Sequence, residues 1–369
     1  MIAVRCGAGR WKFDAFPSSV VPLESCLIVT LRVLQVVEDA RPEAGSLGLL
    51  LPGLVSALAP CGIEAMVHDG GNLDSAAVSD ADVVHVHGWG GEGSKQAAAL
   101  AAHAGKPFLL TPVGGLSSEA RQHTSWVRRM RRAFGDRSLL RRAAAVCAVN
   151  ESEENELRRS SVHRLVRVLP YGIGFSEIAV SDLRRGAVSA ANRSILYLDA
   201  IEPPAGPVLL LKAFAEIGAE ADGWTIVFAG PDRGDCRREL EAAVRRKGGG
   251  DRVRFQPAST PDACNAVLAE ATLVAAPSLG IRSPVSVLQA LNWGVAVVAT
   301  SCVTPPGLAL VIGSCPPRRA EFREALRSVM RMPEAEREAM AQRARAVARA
   351  LVDWSVLAER YAELYHSLA

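Results

Sequence analysis

Short apolar runs, each followed by a stretch of helical periodicity, recur along this chain in two series. "LRVLQVV" (31–37), "IEAMVHD" (63–69), "DVVHVHG" (82–88), "PFLLTPV" (107–113), residues 145–150 and "LVRVLPYG" (165–172) form the first. "SILYLDA" (194–200), "WTIVFAG" (224–230), "VRFQP" (253–257), "TLVAAPS" (272–278) and "VAVVATS" (295–301) form the second. Runs that are apolar on both faces fit parallel strands covered by helices on each side. Parallel strands also need crossover helices. Residues 47–62, 206–218 and 283–294 carry that pattern, as does a helix capped by Asn150 or Ser152. Residues 174–193 are polar and irregular and read as a linker. Helices near 319–331, 333–352 and 355–369 close the chain. The expected fold is α/β: two Rossmann-like domains with parallel sheets. An extension covers 1–30, one domain 31–175 and a second 190–345, and a terminal helix over 346–369 packs back on the first domain.

A chain of 369 residues suits two cores better than one. Apolar residues make up 49% of it and mean hydropathy is +0.14, so large cores are affordable in composition. No apolar run reaches the roughly 18 to 20 residues of a membrane helix. The nearest, 26–37, is broken by Arg32 and Gln35. Residues 1–30 do not read as a signal peptide, because Glu24 interrupts the apolar part. The net charge of +3, from 42 basic and 39 acidic residues, is no footprint for nucleic acid. Basic runs at Arg128-Arg129, Arg131-Arg132, Arg141-Arg142 and Arg237-Arg238 read as solvated helix faces. The sharper reading of these runs is a patch for anionic headgroups or an acidic acceptor, which limits any membrane contact to the periphery. The eight Cys contain no CxxC pair, so neither zinc nor a disulfide framework is indicated. A reducing cytoplasm fits best, with the inner membrane face as a peripheral address.

Few residues carry chemistry by pattern alone. His85 and His87 share one face of a strand, but a metal would need a third ligand and none is evident. His87 and Gly88 stand at the C-terminal end of that strand, where ligands bind in α/β folds. Gly45 and Gly48 in "EAGSLG" mark the turn after the first strand. Ser283-Pro284 reads as an N-cap and N1 pair, giving a helix start with free N–H groups for an anion. Neither GxSxG nor GxxxxGK[ST] occurs.

The motifs "DVVHVHG", "GKPFLLTPVGGL", "RRAAAVCAVNESEENELRR", "VLPYGI", "ILYLDAIEPPAGPVLLLKAF", "IVFAGPD", "RVRFQP" and "APSLGIRSPVSVLQALNWGVAVVAT" stand in that order. In order and spacing the chain resembles the family 4 glycosyltransferases, of GT-B fold, from about Leu31 to the C-terminus. The resemblance implies that the C-terminal half binds a nucleotide sugar and the N-terminal half an acceptor. It implies retaining transfer of a hexose to a glycan or lipid-linked acceptor, with no cofactor and no bound metal. The last helix, over 354–368, would cross back to the first domain.

Against that family pattern five polar positions are altered. The Arg and Lys placed five apart beneath the diphosphate correspond to Ala200 and Ala205, and Asp199 stands where a Gly precedes the Arg. Two Glu eight apart correspond to Ile281 and Gln289, and the His of "TPHG" to Val113. Losing one preorganised donor typically costs on the order of 100 to 1,000-fold in rate. The resemblance therefore leaves two readings: an active transferase, or a degenerate binding subunit that partners an active one. Donor-side candidates are Gly45, Gly230, Arg233, Ser278, Arg282, Ser283, Val285 and Gln289. Among these, Arg282 and Arg233 are the candidates to replace a missing cation. Acceptor-side candidates are His87, Gly114, Glu119, Arg121 and His123.

Overall fold

The computed structural model describes residues 30–43, 45–116, 139–160, 163, 165–175, 193–246 and 250–369. Glu119, Arg121 and His123 lie outside these residues, as do the basic runs at 128–132, most of residues 1–30 and the bulk of the 174–193 linker.

Two six-stranded parallel sheets form the frame. The first holds β1 (Leu31–Val37), β2 (Ile63–Asp69), β3 (Val83–His87), β4 (Phe108–Thr111), β5 (Ala145–Ala148) and β6 (Val166–Val168) in the order β2-β1-β3-β4-β5-β6. The second holds β7 (Arg193–Leu198), β8 (Trp224–Ala229), β9 (Val253–Gln256), β10 (Leu273–Ala276), β11 (Ala296–Thr300) and β12 (Gly313–Cys315) in the order β12-β11-β10-β7-β8-β9. Strands β3, β4, β5, β10 and β11 are buried along their whole length, as their unbroken apolar runs require. β1 and β2 fill their apolar runs, whereas β3 to β11 stop one to four residues short of theirs, because the C-terminal residues leave the ladder to build loops. Those loops make the site.

The helices follow from local signals. Asn150 caps the helix Glu151–Arg159, its side chain accepting from the Glu153 N–H at 2.9 Å. The helix after β10 runs Val285–Asn292 and is buried from Val285 to Leu291. Its start differs from the sequence reading: Pro284 holds the N-cap position with no side-chain cap, and Ser283 caps nothing. Proline at 284 has no N–H to offer and cannot itself be capped there.

The C-terminal segment is two helices, Glu334–Val352 and Trp354–His366, parted at Asp353. The last helix packs on the helix Leu51–Leu58 of the first half. Trp354 Nε1 donates to the Leu50 carbonyl at 3.1 Å, and Tyr361 donates to the Pro170 carbonyl at 3.1 Å. Ile173 pairs with Asp353 in a parallel bridge beside it. A continuous apolar cluster thus runs from β1 through the last helix into the second half.

Candidate donor cleft

Each sheet reverses its strand order once: between β1 and β3 in the first, and between β7 and β10 in the second. Loops leave in opposite directions at such a point and open a crevice at the C-terminal strand ends. The two crevices face each other. The cavity between them, about 210 Å³, is lined from the first half by Glu38, Gly45, His87 and Val113, and from the second by Ala200, Arg233, Arg282 and Ser283.

Two guanidinium groups reach this cavity. Arg282 is largely buried, and it bonds Asp199 Oδ1 at 3.2 Å and Glu202 Oε1 at 2.7 Å. Burial works against its charge, but Asp199 and Glu202 outweigh that and hold it above the usual arginine range. Burial in turn pushes the Asp199 carboxyl up, opposed by Arg282 and by the Ala200 N–H at 2.7 Å. Arg233 projects from the loop after β8 and bonds Glu43 Oε1 at 2.6 Å. Glu43 belongs to the loop after β1, so this ion pair closes the cleft from one half to the other. The two halves also meet at backbone distance: a Cβ on Gly45 would lie 2.1 Å from Asp199 Oδ1, and one on Gly114 2.0 Å from the Ile281 carbonyl.

The positions singled out by the family pattern separate in space. Ala200 lines the cavity. Ala205 is buried in the apolar core of the second half, and Ile281 in the cluster shared by both halves. The two candidates to replace the missing cation, Arg282 and Arg233, both line this cavity, each from a different loop of the second half. Arg233–Glu43 spans 190 residues of sequence and left no local signal.

Gln289 and Ser283 share an unusual property. Gln289 is 8% exposed, and its Oε1 has no hydrogen-bond partner among the described residues. Ser283 Oγ and Arg282 Nε are likewise buried and unpartnered there. Such atoms normally find a partner, so each marks a place for a ligand or water. Other donor-side candidates hold the frame instead. Ser278 Oγ is spent on the Gly280 carbonyl at 2.8 Å, Val285 is core, and a Cβ on Gly230 would strike the Asp199 carbonyl at 2.0 Å.

The "TPVGG" turn is strained. Val113 sits at φ +50°, where a β-branched residue is a clear outlier. Gly114 follows at φ +78° and donates to Glu153 Oε1 at 2.6 Å. Glu153 Oε2 takes the Val149 N–H at 2.9 Å. Burial raises the Glu153 carboxyl to about 7 against those two N–H groups. Sequence reasoning passed over Glu153, although its place three residues after Asn150 puts it on the buried side of a capped helix.

His87 lines the cleft but is not free. Its Nδ1 meets Tyr171 OH at 2.7 Å and its Nε2 meets Gln35 Oε1 at 2.7 Å. Gln35 Nε2 donates to Tyr365 OH at 2.9 Å. That hydroxyl lies 2.8 Å from His85 Nδ1, and His85 Nε2 lies 2.7 Å from Thr111 Oγ1. The amide oxygen can only accept, so His87 carries its proton on Nε2. Burial lowers His87 to about 3 and His85 well below its ordinary value. Both rings are neutral, and no nitrogen of either is left for a metal.

With this geometry in view, comparison with known proteins places the chain. Residues 26–172 match the family model described as "Glycosyl transferase 4-like domain", and residues 192–331 that described as "Glycosyl transferases group 1". The chain belongs to the GT-B glycosyltransferases. Among solved structures it is similar to a sucrose-phosphate synthase from Thermosynechococcus elongatus, at 18% identity and TM-score 0.70, over 91% of this chain and 99% of that one. It is equally similar to Anabaena Alr3699/HepE in complex with UDP-glucose, at 18% identity and TM-score 0.70, over 92% and 100%. WaaG, a glycosyltransferase involved in lipopolysaccharide biosynthesis, matches at 15% identity and TM-score 0.62, over 91% and 99%. A search of curated proteins gave no match. Among the described residues no helix is long and apolar enough to cross a membrane.

Proposed function

We propose that this glycosyltransferase binds a nucleotide sugar in the cleft and transfers its hexose to a glycan or lipid-linked acceptor, with Arg282 and Arg233 holding the diphosphate. The observation that carries this reading is the convergence of two guanidiniums on the point where both sheets reverse. Negative charge grows on the leaving diphosphate, and positioned cations lower the cost of that charge. The unpartnered Gln289 Oε1 can accept from a ribose hydroxyl, and Ser283 Oγ can donate to a phosphate oxygen. HepE, solved in complex with UDP-glucose, supports the same class of donor.

A second reading, a binding subunit without turnover, draws on one feature. Glu43, Asp199 and Glu202 already occupy both arginines. The cavity of about 210 Å³ also falls below the roughly 300 to 1,000 Å³ of small-molecule sites. A donor therefore has to exchange with internal carboxylates and part the two halves. Calorimetric titration with UDP and GDP, combined with mass spectrometry of UDP- and GDP-sugar breakdown, separates the readings. Binding with turnover supports the transferase. Binding without turnover, with or without acceptor glycans, supports the subunit. Absence of any nucleotide binding overturns both.

A further inference from the structure

A second cavity, about 410 Å³, opens on the far side of the C-terminal half. Its wall includes Arg193, Trp224, Thr272, Arg331, Glu334 and Arg337. Arg193 begins β7 and Trp224 begins β8, and the two are register partners. The cavity thus sits at the N-terminal strand edge, opposite the cleft. The six residues of β7 separate them, or about 20 Å at roughly 3.3 Å per residue.

Two guanidiniums converge on one indole here. The Cζ of Arg193 lies 5.3 Å from the Trp224 ring centre and that of Arg337 lies 5.5 Å from it. Trp224 is 1% exposed and Arg337 6%. Arg337 spends Nη1 on the Met332 carbonyl at 3.1 Å. Among the described residues neither Arg193 nor Arg337 lies within ion-pair distance of a carboxylate. The nearby Glu220 is taken up by Arg327 at 2.8 Å and Arg331 at 2.9 Å. Burial holds Arg337 below the usual arginine range. Glu334 and Glu338 oppose that shift and Arg193 adds to it. Thr272 Oγ1 accepts the Ser194 N–H at 3.1 Å, which leaves its own proton to donate.

Covering a buried indole needs an aliphatic stem or one cation. It does not need two like charges brought together beside an open space. Two unpaired arginines with a hydroxyl match the charge and donor pattern of a phosphate group, whose oxygens guanidinium groups bind in forked geometry. We propose that this cavity is a second binding site, for a phosphate monoester, separate from the donor cleft and independent of whether the cleft is active.

The test is calorimetric titration of the full chain with inorganic phosphate, with sodium acetate as the monoanionic control. Saturable phosphate binding is expected, and acetate at equal concentration should not displace it. Arg193→Gln keeps a polar side chain but removes the charge, so phosphate affinity should fall about 10-fold or more, as loss of a charged hydrogen bond predicts. Arg233→Ala alters the cleft and should leave the Arg193-dependent component of phosphate binding unchanged. Absence of saturable binding, equal competition by acetate, or sensitivity to Arg233→Ala in place of Arg193→Gln would overturn the proposal. Circular dichroism of both variants verifies that they are folded.

Discussion

The first half and the donor cleft treat buried polar groups in opposite ways. In the first half Gln35, His85, His87, Thr111, Tyr171 and Tyr365 satisfy one another within 2.7 to 2.9 Å. Both histidines stay neutral at physiological pH, since burial lowers them far below it. On the loop and helix after β10, Gln289 Oε1, Ser283 Oγ and Arg282 Nε are buried with no partner among the described residues, and Arg282 and Ser283 line the cleft. A network of mutually bonded buried groups fixes one conformation. A cluster of orphaned atoms costs free energy unless something else completes it. The contrast teaches that His87, although it lines the cleft, belongs to the structural network that docks the last helix. The unpartnered atoms after β10 are the ones left open to a ligand.

The largest expected effect probes the charged pair. Arg282→Met leaves Asp199 and Glu202 without their guanidinium. Removing one partner of a buried ion pair costs about 3 to 5 kcal/mol, and the partial exposure of Arg282 argues for the lower end. Asp199 is already raised by burial, and without Arg282 its folded-state value rises further above the unfolded one. Such a group contributes stability below its unfolded value and loses it as pH rises through the folded value. The deficit seen in urea unfolding should therefore grow as pH rises above the ordinary carboxylate range. Adding Asp199→Asn should restore most of the stability but no diphosphate binding. If Arg282→Met unfolds like the parent at pH 8, the pair is idle and the cleft contrast fails.

The next effect sets network against orphan directly. Tyr365→Phe removes the hydroxyl that meets both Gln35 and His85, and leaves buried groups unsatisfied. It should cost about 2 kcal/mol. Gln289→Leu removes an atom that bonds nothing in the described structure and should change stability by less than about 0.5 kcal/mol, while weakening nucleotide binding. Equal losses from the two variants would erase the distinction between the regions.

How far the sequence reached follows from the same contrast. The strands were legible because each is a local run, and β1 and β2 fall within the residues expected from their periodicity. The empty cation positions were legible because the family pattern is local too: Ala200 and Ala205 stand five apart in one loop. What replaces those cations was half legible. Arg282 lies next to a motif position and could be singled out, but its carboxylate partners Asp199 and Glu202 are about 80 residues away. Glu43 and Arg233 lie in different halves, and only the packing of two domains brings them to 2.6 Å. The Ser283 cap was misread because the motif Ser-Pro is a helix start by composition. Here the turn after β10 aims that hydroxyl into the interior, where it caps nothing.

The smallest effect concerns the backbone that both regions share. Val113 occupies a left-handed conformation in the loop after β4, where the strand of the network opens onto the cleft. A β-branched residue there carries about 1 to 3 kcal/mol of strain. The conformation persists because Gly114 is tied to Glu153 and packs on the Ile281 carbonyl with no room for a Cβ. The turn is thus held by its neighbours, whatever side chain stands at 113. Val113→Gly removes the strain but gives the unfolded chain more freedom, which offsets roughly 0.5 to 1 kcal/mol. The expected net result is a gain of about 1 kcal/mol, read as a higher urea midpoint with an unchanged slope. A loss of similar size would mean that the valine side chain contributes more by packing than its backbone costs. In that case the turn is shaped by Val113 itself and not by Glu153 and Ile281.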